Sequence, residues 1–289
     1  MRPVDRVARG GHGSAMIETA FAKINLALHV RRRRADGYHE IETLFAFAED
    51  GDILTLDHDD VPDTEPLRIV GPFAAAIAGG DNLVTRAAEL YRARHGGPAA
   101  RFILDKRLPV AAGIGGGSAD AAAALRVLAR RDGMAEDDPA LLEIAGRLGA
   151  DVPACLLSRT VRGDGRGDAL RCVASGTLAG MPLLLVNPNV PLATGPVFAG
   201  WDGEDRGPLA DGDPLMVAAD ARNDLEPPAC ALRPEIPVVL AWLATQPGVV
   251  LARMSGSGAT CFALFQDAAS RDRVTVPDIW WRLASRVRA

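Results

Sequence analysis

From Ala22 to Val30 apolar and polar positions alternate, with Ile24, Leu26, Leu28 and Val30 on one face and Lys23, Asn25, Ala27 and His29 on the other. A period of two predicts a strand half buried against a core, with Lys23 and Asn25 pointing the same way. The run Arg31-Arg32-Arg33-Arg34-Ala35-Asp36-Gly37 follows. Its Asp-Gly pair suits the positive φ angles of a tight turn, so the apolar stretch 41–47 is expected to return as the second strand of a hairpin. Strands are also expected at 53–56, 67–70 and 101–105, and a helix over 82–95, capped by Asp81 and closed by Gly96. Beyond 105 the order is strand, glycine loop, helix: Gly113 to Ser118 form the loop, and an alanine-rich helix runs to about Arg130. A further helix over 139–148 ends at Gly149, which leaves Asp151 in a helix-to-helix connection just before Pro153.

The second half changes texture. A glycine-rich turn is expected at 163–167, strands at 183–186, 249–253 and 261–265, and helices at 217–231 and 236–244. Met254-Ser255-Gly256-Ser257-Gly258-Ala259-Thr260 joins the last two strands. No repeat of 20 to 50 residues is apparent.

The chain has 289 residues, 48% hydrophobic and 24% charged. That is long enough for two domains with a large core, and it excludes disordered, collagen-like and disulfide-stapled classes. The net charge of −5 gives no broad positive field, which argues against a general binder of nucleic acid or of membrane surfaces. The first sixteen residues lack the apolar stretch of a secretory signal, and no uncharged run approaches bilayer-spanning length, so a soluble cytoplasmic protein is expected. Cys155, Cys172, Cys230 and Cys261 are far apart, without metal or redox spacing, and read as small buried apolar residues in a reducing compartment.

Of 32 cationic side chains only Lys23 and Lys106 are lysine. A compact ammonium can do what a planar guanidinium cannot at a tight phosphate or hydroxyl site, so both lysines are candidates for chemistry. The loop 113–118 is the second candidate. Backbone N–H groups free of side chains, followed by a helix N-terminus, suit polyphosphate binding. The loop is neither a P-loop, since no Gly-Lys-Ser/Thr is present, nor a dinucleotide fingerprint, since Ser118 stands where glycine belongs. Three consecutive glycines cost about 1 kcal/mol each beside alanine in ordered structure, a loss that calls for a role. Taken alone, Ser255 to Gly258 reads as a flexible hairpin, Asp151 as a cap or turn aspartate, Lys106 as a strand-end residue and Arg31 to Arg34 as a solvated turn. Beside a first glycine loop, the Ser255–Gly258 turn becomes a candidate second wall of one cleft.

Three stretches in this order resemble the GHMP kinase superfamily: Ala22-Lys23-Ile24-Asn25-Leu26, the Pro-x3-Gly-x-Gly-Gly-Gly-Ser loop from Pro109 to Ser118, and Ser255-Gly256-Ser257-Gly258-Ala259. The resemblance covers about Ala20 to Phe265. Ala35-Asp36-Gly37-Tyr38-His39, Asp105-Lys106-Arg107-Leu108-Pro109 and Gly149-Ala150-Asp151-Val152-Pro153 are similar to one branch, which phosphorylates a cytidine-diphosphate-linked methylerythritol in non-mevalonate isoprenoid biosynthesis.

The resemblance implies an α+β fold of two domains with the active-site cleft between them: an arm at 1–16, an N-terminal ATP-binding domain at 17–160 and a C-terminal domain at 161–289. It implies transfer of the ATP γ-phosphate to the acceptor's 2-hydroxyl, with Asp151 as general base and Lys23 orienting the attacking oxygen. Nucleotide contacts are expected from Pro109, Val110, Ala111, Ala112, Gly113, Ile114, Gly115, Gly116, Gly117, Ser118 and Ala119, together with Lys106 and Asn82. Acceptor contacts are expected from Asn25, Tyr38, His39 and Phe198. Mg2+ would be held by phosphates and water. The partner is a small molecule, not nucleic acid or membrane, and the enzyme a monomer or weak homodimer. The alternatives are a GHMP kinase of homoserine or mevalonate type, and a non-catalytic nucleotide-binding module, which would have lost Lys23 or Asp151.

Overall fold

The computed structural model describes residues 15–57, 65–77, 82–136 and 138–289; most of the expected arm, and the expected cap Asp81, lie outside the described residues. β1 (Met16–Arg33) and β2 (His39–Asp57) are antiparallel partners across a turn in which Gly37 takes φ +86°. The first half continues with β3 (Leu67–Val70), α1 (Leu83–His95), β4 (Arg101–Asp105), α2 (Gly116–Arg131), α3 (Pro139–Leu148), α4 (Val152–Leu157), β5 (Val161–Asp164) and β6 (Ala169–Cys172). β2 is the hub: β1 lies along it, β4 and β5 pair with it, β3 joins β4 in parallel, and β6 joins β5. This sheet therefore continues to Cys172, beyond the boundary expected near 160.

The second half holds β7 (Pro182–Asn187), α5 (Thr194–Ala199), α6 (Pro214–Asp220), α7 (Glu226–Leu232), α8 (Glu235–Ala244), β8 (Val249–Met254), β9 (Cys261–Phe265), α9 (Ala268–Asp272) and β10 (Trp281–Arg286). Its four strands form an antiparallel sheet in the order β10-β7-β9-β8.

The first sheet is a middle layer. Phe45, Phe47, Leu54 and Leu56 pack with residues of α1 and α2, while Leu44, Ala46 and Ala48 pack with Leu183, Leu185, Phe262 and Leu264 of the second sheet. β1 is consequently buried on both faces from Ala22 to Val30, not half buried as its alternation predicts. The second sheet covers the face that carries Ile24 and Leu26. The predicted strands at 41–47 and 53–56 are one continuous β2.

Helix α1 is capped by Asn82, whose side chain accepts from the Val84 N–H at 2.8 Å. The expected helix at 217–231 is two helices. Asn223 breaks it, its amide donating to the Met254 and Gly256 carbonyls at 2.9 and 2.8 Å, and Pro227 and Pro228 sit in the first turn of α7, where a missing N–H costs nothing. Cys155 and Cys261 are buried as expected, whereas Cys230 is half-buried and Cys172, on the edge strand β6, is exposed.

Candidate active site

Gly115, at φ +65°, turns the chain into α2, which starts at Gly116 with no acidic side chain in its first turn. The free N–H groups and positive dipole end of this helix face a cleft of about 840 Å³ lined by Gly115, Gly116, Gly117 and Ser118. Gly113, at φ +76°, lies so close to the Ser255–Gly258 turn that a Cβ would strike the carbonyls of Ser255 and Gly258. Three hydrogen bonds lace the two loops and β1 together: Ser255 Oγ donates to the Gly113 carbonyl at 2.9 Å, Asn25 N–H to Ser255 Oγ at 3.2 Å, and Thr260 N–H to the Ala112 carbonyl at 3.1 Å. Gly256 and Ser257 line the same cleft. The late turn is thus a second wall, and Ser255 is its anchor.

Lys23 and Asp151 meet inside this cleft. Lys23 Nζ donates to Asn25 Oδ1 at 2.7 Å and stands 3.3 Å from Asp151 Oδ2. The Asn25 amide is oriented from behind by its donation to Thr43 Oγ1 at 2.8 Å, which leaves its oxygen to the ammonium. The lysine stem runs directly under the loop, since a Cβ on Gly115 would lie 3.1 Å from Lys23 Cε. Asp151 occupies the N-cap position of α4, yet its side chain makes no capping hydrogen bond. It is turned to Lys23 instead, with its side chain 38% exposed to the cleft against 4% for Lys23.

At the other end of the cleft the rings of His39 and Phe198 pack with centroids 5.0 Å apart, and Trp201 meets His39 edge-on at 5.7 Å. Tyr38 is 55% exposed, with the Arg166 guanidinium 5.3 Å from its ring centroid. Burial first, and the charge of Arg33 second, lower the His39 pKa, which favours the neutral imidazole.

The structure does not bring Lys106 to the open cleft. Its Nζ lies 2.5 Å from Asp52 Oδ2 and 2.6 Å from Asp120 Oδ2, and all three side chains are at most 5% exposed. Burial opposes the Lys106 charge, but the carboxylates of Asp120 and Asp52 outweigh it and raise the pKa. Burial also raises the Asp120 carboxyl pKa, against the pull of Lys106. Asn82 is spent on capping α1, and the cleft contact there is Leu83. Of the other loop residues, Ala111 and Ala112 line the cleft, Ala111 at φ +51° where glycine is the easier residue. Pro109, Val110, Ile114 and Ala119 do not line it, although the Ile114 carbonyl accepts the Lys23 N–H at 3.0 Å. Sequence reasoning missed Asp52, Asp120, Arg166 and Trp201. Only Asp120, inside the glycine-loop run, stood close to a signal.

Residues 82–159 match the GHMP kinases N terminal domain and 208–276 the GHMP kinases C terminal domain. The 4-diphosphocytidyl-2-C-methyl-D-erythritol kinase of Rhizorhabdus wittichii is 61% identical over 281 residues, which is 94% of either chain. This chain belongs to that family of GHMP kinases. A crystal structure of 4-(cytidine 5'-diphospho)-2C-methyl-D-erythritol kinase, 34% identical, superposes on this GHMP kinase with a TM-score of 0.74, covering 95% of this chain and 100% of that one. Homoserine kinase from Cytophaga hutchinsonii superposes at 0.69 over 96% of either chain, but at 17% identity it shows the shared GHMP kinase fold alone. The α+β GHMP kinase architecture expected from the motifs is the one found.

Proposed function

We propose that this GHMP kinase transfers the γ-phosphoryl group of ATP to the 2-hydroxyl of 4-diphosphocytidyl-2-C-methyl-D-erythritol, a step in making isoprenoid precursors by the non-mevalonate route. The observation that carries the reading is the Lys23–Asp151 pair, 3.3 Å apart beneath the glycine loop, in one cleft with the His39–Phe198 aromatic end. Phosphoryl transfer asks for positioning and charge stabilisation more than for covalent chemistry. Main-chain N–H groups of Gly115 to Ser118 hold the phosphates of ATP, in a first-half domain that supplies the nucleotide site. Asp151, paired with the Lys23 ammonium and open to the cleft, accepts the proton of the attacking hydroxyl. Lys23, steadied by Asn25, orients that oxygen and balances the charge that develops on it. Tyr38 and Phe198 cover the faces of the cytosine, and neutral His39 meets its edge.

Among the described residues no three His, Cys, Asp or Glu side chains converge as a metal cage. Asp52 and Asp120 are buried and both pair with Lys106. That donor set fits a Mg2+ that would be held by the phosphate oxygens of ATP and by water, where it would screen phosphate charge.

ADP release from MgATP tests the reading. With the cytidine-linked methylerythritol it is expected to be fast, and with methylerythritol 4-phosphate, which lacks the cytidine, it should stay near background. Equal rates with both, or activity on homoserine or mevalonate instead, would contradict it.

A further inference from the structure

Lys106 is one of two lysines in a chain otherwise served by arginine, and it touches neither end of the cleft. What it touches is both ends of the phosphate loop. On the entry side, Asp52 Oδ2 takes the ammonium at 2.5 Å while Asp52 Oδ1 accepts the Arg107 and Leu108 N–H groups at 2.6 and 2.8 Å, so β2 grips the first residues after β4. On the exit side, Asp120 Oδ2 takes the same ammonium at 2.6 Å. Asp120 lies four residues into α2 from Gly116, on the same helix face, and a Cβ on Gly116 would come within 3.1 Å of Lys106 Nζ. One buried cation therefore ties three segments: the entry to the loop, α2 one turn beyond its start, and the hub strand of the sheet.

We infer that Asp120, acting through Lys106, is a positioning residue for nucleotide binding: the Asp52–Lys106–Asp120 clamp fixes the spacing between the loop's two ends and so the aim of the N–H groups between them. Donors held in place before ATP arrives need no reorganisation when it binds. An ammonium suits the post because it is compact and can point separate N–H bonds at two carboxylates, whereas a planar guanidinium would crowd Gly116. The inference rests on the reading of the glycine loop as the ATP cradle and adds to it residues that never touch ATP.

The test compares Asp120→Ala with Asp120→Asn in the full chain. Removing a negative charge from behind a phosphate site should, by electrostatics alone, strengthen ATP binding. Loss of the exit tie acts the other way. Asp120→Ala is expected to raise KM for MgATP about tenfold or more, with KM for the phosphoryl acceptor changing less than about twofold. Asp120→Asn, whose amide oxygen can still accept from Lys106, is expected to restore KM for MgATP to within about threefold of the unsubstituted enzyme. Should Asp120→Ala fail to fold, Asp120→Leu fills the space without an acceptor, and the same comparison decides. An unchanged or lowered KM for MgATP in the variant lacking the acceptor overturns the inference, as does an equal rise in both KM values. Absence of ATP-dependent turnover in the unsubstituted protein would instead overturn the proposed function.

Discussion

Replacing Asp151 by asparagine is expected to lower turnover by about 10²- to 10⁴-fold, the usual worth of a positioned base, and to leave the KM for ATP close to its original value. The substitution keeps the shape of the side chain, and the phosphate cradle is main chain from a different segment, so binding and chemistry should separate. The carboxylate is the exposed member of its ion pair and caps no helix N–H, so folding does not depend on it. Rapid-quench single turnovers at saturating substrates read the chemical step directly. Turnover at the original rate would remove Asp151 from the mechanism.

Gly113→Ala is the second large effect, and it acts on structure. Gly113 combines a left-handed backbone with a packed seam, because its missing Cβ is where the Ser255 and Gly258 carbonyls approach. The backbone strain costs about 1–2 kcal/mol, and forcing atoms into a packed contact adds about 1–3 kcal/mol. A loss of about 2–5 kcal/mol in urea denaturation is therefore expected, together with loss of activity as the two walls separate. Gly133→Ala is the comparison: Gly133 also has a positive φ, +69°, but nothing lies within 4 Å of its would-be Cβ, so only the strain remains. Equal destabilisation by the two substitutions would mean that the seam carries no energy.

Several parts of this site are legible in the chain because they depend on local geometry. The two-residue period puts Lys23 and Asn25 on one side of β1, and they meet at 2.7 Å. Consecutive glycines after a strand mark a place where main chain must be bare, and the cleft opens there. What escapes is set by partners distant in sequence. Lys106 reads as a phosphate ligand until Asp52, from the hub strand, and Asp120, from α2, are seen to enclose it. The burial of the polar face of β1 depends on remote main chain, the glycine loop over Lys23 and the Gly207 and Arg222 backbone beside His29, which no period in 22–30 reports. The break between α6 and α7 answers to the carbonyls of Met254 and Gly256, because a side-chain amide bonding to a remote loop outweighs a continuous helical pattern.

The central claim is that Lys23 and Asp151 act as a unit on one acceptor oxygen. A double-mutant cycle on single-turnover phosphoryl transfer, with Lys23→Met, Asp151→Asn and the two combined, tests it most directly. The double variant is predicted to be about as slow as the slower single variant, because removing either group already disables the pair. Rate losses that multiply would show two residues working independently and would contradict the account.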